Sequence, residues 1–559
     1  MGFFSGLSQI LRDFSGWTSA HGIPHVGSAQ NTILRVFWSL VFLGSIVAFC
    51  AQMWVLVTKF TEYGVTVQTE LKFEERIFPA VTVCHLNPYK YDSILENKAS
   101  ILAQLNEVYA ESMTKPEKEI PRKEAFGFKG ERAEVIQQRA SKWVTFLGAD
   151  EVVKGRRRVR HNGTDLSSFV YTDPISYKYD DFVMNCAYNT KGCEKSDFDS
   201  MFEPLYGVCQ TFNARSQYNS TRAGPLYGLR LLLNCNQSRY MPVTEQSGVI
   251  MAIHSQKETP NILTNGLLAA PGDSTAFGVR NVNVERLGSP YGECVSEENT
   301  EGFVYYYNGT YTSEGCFRSC FQREVINECG CSDPTFPVSD DVKVPSCGSG
   351  SSVQQIKKNI ACVENMMANN NGGKGFNVIE KCKCPQPCKE STYSVTVSTA
   401  LWPSDVYKPP ECSDPEKWKG DGNEDPEKAC LQWFRDNTLL IEVFYERMNY
   451  QLLRESEAYG MITLISDMGG QLGLWLGISV ITVIEFGALV FLVCMYCIGR
   501  VDMGDDDDDD VFNGEKEPGA EEEGEGKQQR PASTKTNMTD DLYPEDAKHE
   551  DINPPPIKH

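Results

Sequence analysis

Ser466-Asp-Met-Gly-Gly-Gln-Leu-Gly-Leu-Trp-Leu-Gly-Ile-Ser479, running on into Val-Ile-Thr-Val-Ile-Glu485-Phe486, is the stretch whose reading decides the fold. It lies inside an apolar run from about Ile462 to Ile498, longer than the roughly 20 residues a membrane helix needs. Ser466, Gly470, Gly473 and Gly477 recur at steps of four, three and four, which places them on one helical face. Leu472, Trp475, Leu476 and Val480 fall mostly off that face. A stripe of small residues serves close helix packing or lines a narrow water-filled path, and spacing alone leaves both readings open. Three features favour the path: the excess length, the acids Asp467 and Glu485, and the cluster Gly477-Ile478-Ser479. Acids at membrane depth face water or a partner group. A tilted anchor with both acids near the interfaces is the alternative. Irregular backbone at membrane depth survives only when buried in protein or lining a cavity. Carbonyls freed there replace part of an ion's hydration shell.

A second apolar run, Ile33 to Val57, carries only Arg35 as a charge and is also long enough to span. The chain therefore divides into five parts. These are an N-terminal segment 1–32, a first span 33–57, an intervening domain 58–460, a second span 461–498 and a tail 499–559. The intervening domain holds seventeen of the 20 cysteines, a density that fits an oxidising compartment. It also carries four glycosylation sequons, at Asn162, Asn219, Asn236 and Asn308. That places this domain outside the cell and both ends in the cytoplasm, with the plasma membrane as the location. The positive-inside signal is thin: Arg12 and Arg35 at one end, Arg500 at the other. No cleavable signal peptide is expected, since the first apolar run is too long for one.

The net charge is -22. The tail from Val501 carries 19 acids against 6 bases, so most of the imbalance is local. Its composition reads as disorder, and the run Asp505–Asp510 reads as a solvated acidic stretch. An acidic chain excludes nucleic acid as a natural partner. Cys382-Lys-Cys384-Pro-Gln-Pro-Cys388 lacks paired Cys-x-x-Cys spacing and nearby histidine, so no metal site is expected. No HExxH, Walker A loop or nucleophile elbow stands in a plausible context, so the chain is not read as an enzyme and no cofactor is expected.

Inside the large domain, strand-like alternation appears at Tyr227–Leu233, Gly248–His254, Thr392–Ser398 and Leu439–Tyr445. Helical patterns appear at Ala99–Glu111, Cys316–Ile326 and Val353–Met367. The expectation is a mixed α+β domain with a central sheet and peripheral helices. No internal repeat is apparent. Arg156-Arg-Arg-Val-Arg160 fits a furin-type cleavage site in a basic loop, and equally an ordinary exposed loop.

Four motifs, in order, carry a resemblance. Phe78-Pro-Ala-Val-Thr-Val-Cys84-His-Leu-Asn-Pro88 resembles the post-membrane signature of the epithelial sodium channel/degenerin superfamily. His21-Gly22 resembles its cytoplasmic gating motif, Gly469 to Phe486 its pore helix, and the cysteine order Cys294 to Cys388 its thumb domain. The resemblance spans His21 to Phe486. It implies two membrane helices, an extracellular domain of palm, finger, thumb, knuckle and β-ball, and a trimer conducting Na+. It implies Gly477, Ile478 and Ser479 as selectivity filter and Ser466 as the degenerin position. Asp467, Gly470 and Glu485 would belong to the pore, Gly473 to amiloride block, and His21, Gly22, Tyr63 and Tyr291 to gating. The family pairing implies disulfides Cys84–Cys209, Cys186–Cys193, Cys294–Cys388, Cys316–Cys384, Cys320–Cys382, Cys329–Cys362 and Cys331–Cys347. A Cys412–Cys430 bridge is an expectation of our own, and it leaves Cys235 unpaired.

There are departures from the family. Ile478 stands where relatives often have a small residue, and the tail ends Pro554-Pro-Pro-Ile557 without a Pro-Pro-x-Tyr motif. Thr61-Glu-Tyr63-Gly64-Val65 replaces the histidine pair of acid-sensing relatives. By elimination, the leading expectation for the stimulus is an amidated Arg-Phe neuropeptide, as in the FMRFamide-gated branch. Such a ligand needs an acidic, aromatic-lined extracellular cleft. Constitutive opening and acid gating stand as alternatives, because carboxylate pairs sense protons without histidine. An ATP-gated type of trimeric channel, or a receptor or adhesion ectodomain, is a more remote reading.

Overall fold

The computed structural model describes residues 3–98, 100–114, 123–160, 167–296, 304–339, 342–368, 376–418 and 425–498. Asn162, Ala99 and the acidic run at 505–510 lie outside the described residues. The chain separates into two units, Ser15–Glu485 and a smaller one made of Met1–Phe14 with Phe486 onward.

Two helices are long and apolar enough to cross a membrane. The first, M1, spans Thr32–Thr61 and overruns the expected end at Val57 by a full turn. The second apolar run is not one helix. It is Met461–Leu476 (M2a) and Val480–Cys497 (M2b), parted by Gly477-Ile478-Ser479. In the smaller unit the helix that starts at Phe3 packs on M2b, with Phe14 and Phe486 rings 5.2 Å apart and Gly6 beneath the Tyr496 ring.

Between the spans lies a sheet of eight described strands. The strand that leaves M1, Val65–Phe73, pairs antiparallel with Asn449–Glu457, the strand that enters M2a. Their register runs from Val65 opposite Glu457 to Phe73 opposite Asn449. Both spans therefore hang from one two-stranded ribbon. The ribbon joins the central strands through Asp273–Glu285, which also pairs with Lys389–Leu401 along thirteen residues. Thr438–Tyr445, Leu229–Asn234 and Val183–Tyr188 continue the sheet.

Alternation explains the interior. Leu229, Leu231 and Leu233 point inward while Arg230 is exposed, as a strand's period of two requires. They meet Phe277, Leu439, Ile441 and Val443 of the same sheet. Val81, Val83, Phe212 and Val249 come from a second sheet, ordered Leu267–Ala269, Val249–His254, Ala80–His85, Gly207–Phe212, Phe198–Glu203. A separate helical core gathers Trp143, Phe146, Leu105, Val325, Ile360 and Val363 from the helices Ile101–Thr114, Ala133–Lys154, Ser313–Cys329 and Val353–Met367.

The motif at Phe78–Pro88 turns out to be a buried polar knot. Asn87 donates from Nδ2 to the Tyr89, Arg239 and Tyr177 oxygens and accepts at Oδ1 from Met241 N–H and Thr244 Oγ1. His85 lies flat on Tyr177 at 4.1 Å, accepts from Asn87 N–H at Nδ1 and donates from Nε2 to the Cys235 carbonyl. Burial lowers its pKa to about 4, so it is neutral at any physiological pH.

Eight disulfides occur among the described residues: Cys84–Cys209, Cys186–Cys193, Cys294–Cys388, Cys316–Cys384, Cys320–Cys382, Cys329–Cys362, Cys331–Cys347 and Cys412–Cys430. Cys316 and Cys320 stand one turn apart on Ser313–Cys329 and share a face, so both reach the Cys382–Cys384 segment. Cys329–Cys362 staples that helix to Val353–Met367.

One expectation is corrected. Arg156–Arg160 is not a loop: it is a strand paired antiparallel with Ser167–Tyr171. The run alternates Arg with Val159 only once, so its charge hid its pairing.

Cys235 is fully buried and unpaired, and burial pushes its thiol up to about 12. It should therefore resist maleimide in the native protein and react only after denaturation. Labelling of Cys235 under native conditions, read by peptide mass mapping, would contradict the packing described.

Candidate functional site

The break in the second span is two helix caps placed back to back. M2a ends on Gly477 in the left-handed conformation, φ 61°, which costs glycine nothing and a β-carbon residue a great deal. Gly477 N–H bonds the Gly473 carbonyl at 3.1 Å, and Ile478 N–H reaches back to Leu472 at 3.2 Å. Two residues later Ser479 starts M2b. Its Oγ accepts from Thr482 N–H at 3.4 Å, and its own N–H bonds Thr482 Oγ1 at 3.1 Å. Gly at the first position and Ser at the third are thus the residues that end one helix and begin the next within three positions. Among the described residues nothing hydrogen-bonds the Gly477 and Ile478 carbonyls.

The small-residue stripe is open. Ser466, Gly470 and Gly473 are exposed, and a β-carbon at Gly470 or Gly473 would touch nothing within 4 Å. M1 does not use this face. Close packing of the two spans within one chain is therefore not its purpose.

A segment from the N-terminal side reaches the break. Thr18 Oγ1, Ser19 N–H and Ser19 Oγ all donate to the Glu485 carboxylate, at 3.0, 2.8 and 3.1 Å. Ser19 Oγ also meets Thr482 Oγ1 at 2.6 Å. His21 N–H bonds the Leu476 carbonyl at 2.9 Å, and its ring covers the Cα of Gly477. Gly22 then turns the chain with φ 90° against the Phe42 ring, a place with no room for a side chain. The inner acid is thus held by hydroxyls and a backbone N–H of the same chain. Sequence reasoning placed His21 and Gly22 in gating without a contact. It missed Thr18 and Ser19, whose only signal was hydroxyls just before His-Gly.

At the other end of M2a, Tyr459 Oη donates to Asp467 Oδ2 at 2.6 Å, and Lys59 of M1 stands 4.6 Å over the Tyr459 ring. Tyr63, two residues beyond M1 and at φ 48°, meets Tyr291 edge-on, with centroids 5.5 Å apart and planes at 88°. Tyr291 precedes Cys294, the first cysteine of the stapled helical region. The structure therefore brings the end of M1 against the loop that feeds that region.

Of the sequons, Asn219 and Asn308 are exposed, and Asn236 is half-buried with its Oδ1 accepting from Ser238 Oγ at 2.6 Å. One described cavity of about 290 Å³ lies beside the strand pair Asp273–Glu285 and Lys389–Leu401. It is lined by Lys257, Glu258, Glu285, Lys389 and Glu390 with small polar residues, and no aromatic. Glu285 is tied to Arg454 and Glu390 to Arg286, whereas burial and the neighbouring Glu390 push Glu258 up to about 7. Burial also raises Glu203 to about 7, against the pull of Arg318.

The sequence pattern of the amiloride-sensitive sodium channel family matches residues 14–489. The degenerin-like protein asic-2 of Caenorhabditis elegans is 32% identical over 523 residues, 90% of each chain. Degenerin deg-1 of the same nematode is 41% identical over 323 residues, 56% of this chain and 39% of its own length. Degenerin mec-10 of Caenorhabditis briggsae is 28% identical over 623 residues, 86% of this chain and 83% of that one. The match takes in the segment that contacts the break, the first span, the second span through residue 489 and the disulfide-rich domain between them, and this chain belongs to the amiloride-sensitive sodium channel family, the ion channels of the epithelial sodium channel/degenerin superfamily.

Proposed function

We propose that three copies of this chain assemble around the small-residue face of M2a into a sodium-selective, amiloride-sensitive channel of the plasma membrane, with both termini cytoplasmic. The observation that carries the reading is the double cap at Gly477–Ser479. Among the described residues it leaves the Gly477 and Ile478 carbonyls without partners, at a depth where water or an ion must supply the missing partner. Three such sets form a ring of oxygens, and the exposed Ser466–Gly473 stripe forms the approach. Two apolar helices long enough to span, and eight disulfides among the described residues between them, support this orientation. Amiloride would lodge at Gly473, where the face is bare.

The stimulus has two readings. An amidated Arg-Phe peptide remains the proposal from the sequence, and its docking place would lie elsewhere than the cavity described, which offers no aromatic. Acid has a specific observation in its favour: Glu203 and Glu258 have raised pKa values near 7. A raised carboxyl favours the folded arrangement when protonated. That contribution is complete below the ordinary carboxyl range and is lost as pH rises through about 7. Acidification from pH 8 to 6 therefore removes the repulsion between Glu258 and Glu390.

Three outcomes are expected. Replacing Ser479 with Thr or Val should lower the sodium-over-potassium permeability ratio in oocyte recordings; an unchanged reversal potential across both variants removes this residue from the filter. Changing Tyr63 and Tyr291 to Ala, singly and together, should shift the open–closed balance by about two- to tenfold, with the double no worse than the larger single. Additive effects at equal surface expression would break the link between M1 and the stapled region. Glu258→Gln should flatten any current change between pH 8 and 6 while sparing a peptide response. A wild-type channel that answers amidated Arg-Phe peptides and ignores pH steps would eliminate the acid reading.

A further inference from the structure

M1 carries several hydrogen-bonding side chains, and most turn back on their own helix. Ser39, Ser45 and Thr58 donate to the carbonyls of Arg35, Val41 and Trp54, each four residues earlier, at 2.8, 3.1 and 2.8 Å. Such bonds satisfy a hydroxyl in lipid without involving a neighbour. Gln52 differs. Its amide is too large to hide this way, and its Oε1 leaves M1 and accepts from the Trp475 indole N–H on M2a at 3.3 Å. The same N–H is shared with Gln471 Oε1, one turn earlier on M2a, at 3.2 Å. Among the described residues this is the one side-chain hydrogen bond between M1 and M2a.

Its position matters as much as its chemistry. Gln52 lies seven residues before Lys59, so it sits about 10 Å inside the charge that ends the span. Lipid at that depth would offer an indole N–H and an amide no hydrogen-bond partner. Trp475 stands two residues before Gly477. The last turn of M2a is therefore held in three ways. Its own Gly477 cap closes the backbone, His21 N–H takes the Leu476 carbonyl, and Gln52 takes the Trp475 side chain. The Gln471 share of the bond is internal to M2a and fixes nothing relative to M1. Only the Gln52 share ties the turn before the break to the other span.

We propose that Gln52 is a positioning residue for permeation: by holding the Trp475 indole it sets the rotation of the last turn of M2a, and with it the aim of the Gly477 and Ile478 carbonyls. This rests on the reading of Gly477–Ser479 as the filter. A displacement of M1 is then passed to the filter through one bond, at membrane depth and independently of the Tyr63–Tyr291 contact outside.

The test is a double-mutant cycle with Gln52→Met, which keeps length and loses the amide, and Trp475→Phe, which keeps the ring and loses the donor. Open probability and the sodium-over-potassium permeability ratio are recorded at matched surface expression. Thermal unfolding of the detergent-solubilised full-length protein is followed in parallel. Each single variant should change open probability about threefold, the size typical of a hydrogen bond between membrane helices, and the double should go no further. The permeability ratio should fall in both. Additive effects overturn the proposal. So does a coupled loss of thermal stability with permeation unchanged, which is what mere packing would give. Where the chain expressed alone carries no current, additivity in the unfolding cycle overturns it by the same rule. Coupling with Ser479 variants silent would overturn the filter reading and leave the clasp; additivity with Ser479 variants sensitive would overturn the clasp and leave the filter.

Discussion

A peptide group at membrane depth must find a partner within the protein or in water that the protein admits. Most of the second span obeys that rule by being helix. At three residues it does not, and the neighbouring structure is arranged around those three. Gly477 and Ser479 close the two helices on either side, so that the exposed backbone is limited to what lies between them. His21, Ser19 and Thr18 fill the space on one flank and take up Leu476 and Glu485. M1 supplies Gln52 on the other. The Glu485 carboxylate accepts three hydrogen bonds from Thr18 and Ser19, and an alanine there would leave those donors unpaired and release the N-terminal segment from the break.

The second dependence is mechanical. M1 and M2a are joined outside the membrane by the ribbon of Val65–Phe73 and Asn449–Glu457, a fully paired stretch with no bulge in its register. Strand pairing of that length moves as one body. The points of freedom are its ends, Tyr63-Gly64 on one side and Gly460 on the other. The edge-on contact of Tyr63 with Tyr291 and the Lys59–Tyr459–Asp467 chain act at those ends. The disulfides act farther away, where they staple helices that already share a buried core around Phe321, Val325, Ile360 and Val363.

Much of this was legible in the sequence. The two spans follow from the length of their apolar runs and the helix at Val353–Met367 from the period that burial of one face imposes, while the strands at Gly248–His254 and Leu439–Tyr445 lie where alternation puts them although both of their faces are largely buried. The break was readable too, since Gly-x-Ser is poor helix and good cap. What was not legible depends on distance in the chain. Nothing in the sequence says that Ser19 meets Glu485, 466 residues away, or that Gln52 meets Trp475, 423 residues away. The strand Arg156–Arg160 was hidden for another reason: four arginines in five residues mask any alternation, and its pairing with Ser167–Tyr171 shows only in backbone geometry. The polar knot around Asn87 was seen as a family signature. Its physical content, a buried amide using donors and acceptors together, needs the fold to be visible.

The ribbon also defines a seam. Val65 opposite Glu457 is the narrowest crossing of the chain between the membrane helices and the disulfide-rich domain, and both cuts fall in backbone that pairs by register and not by side-chain fit. A module excised from Val65 to Glu457 carries both sheets, the stapled helices and every disulfide among the described residues, and it leaves behind two spans with their break and its supports. The disulfide-rich part and the membrane part are therefore joined covalently at this seam alone, and the edge-on contact of Tyr63 with Tyr291 crosses it without a bond.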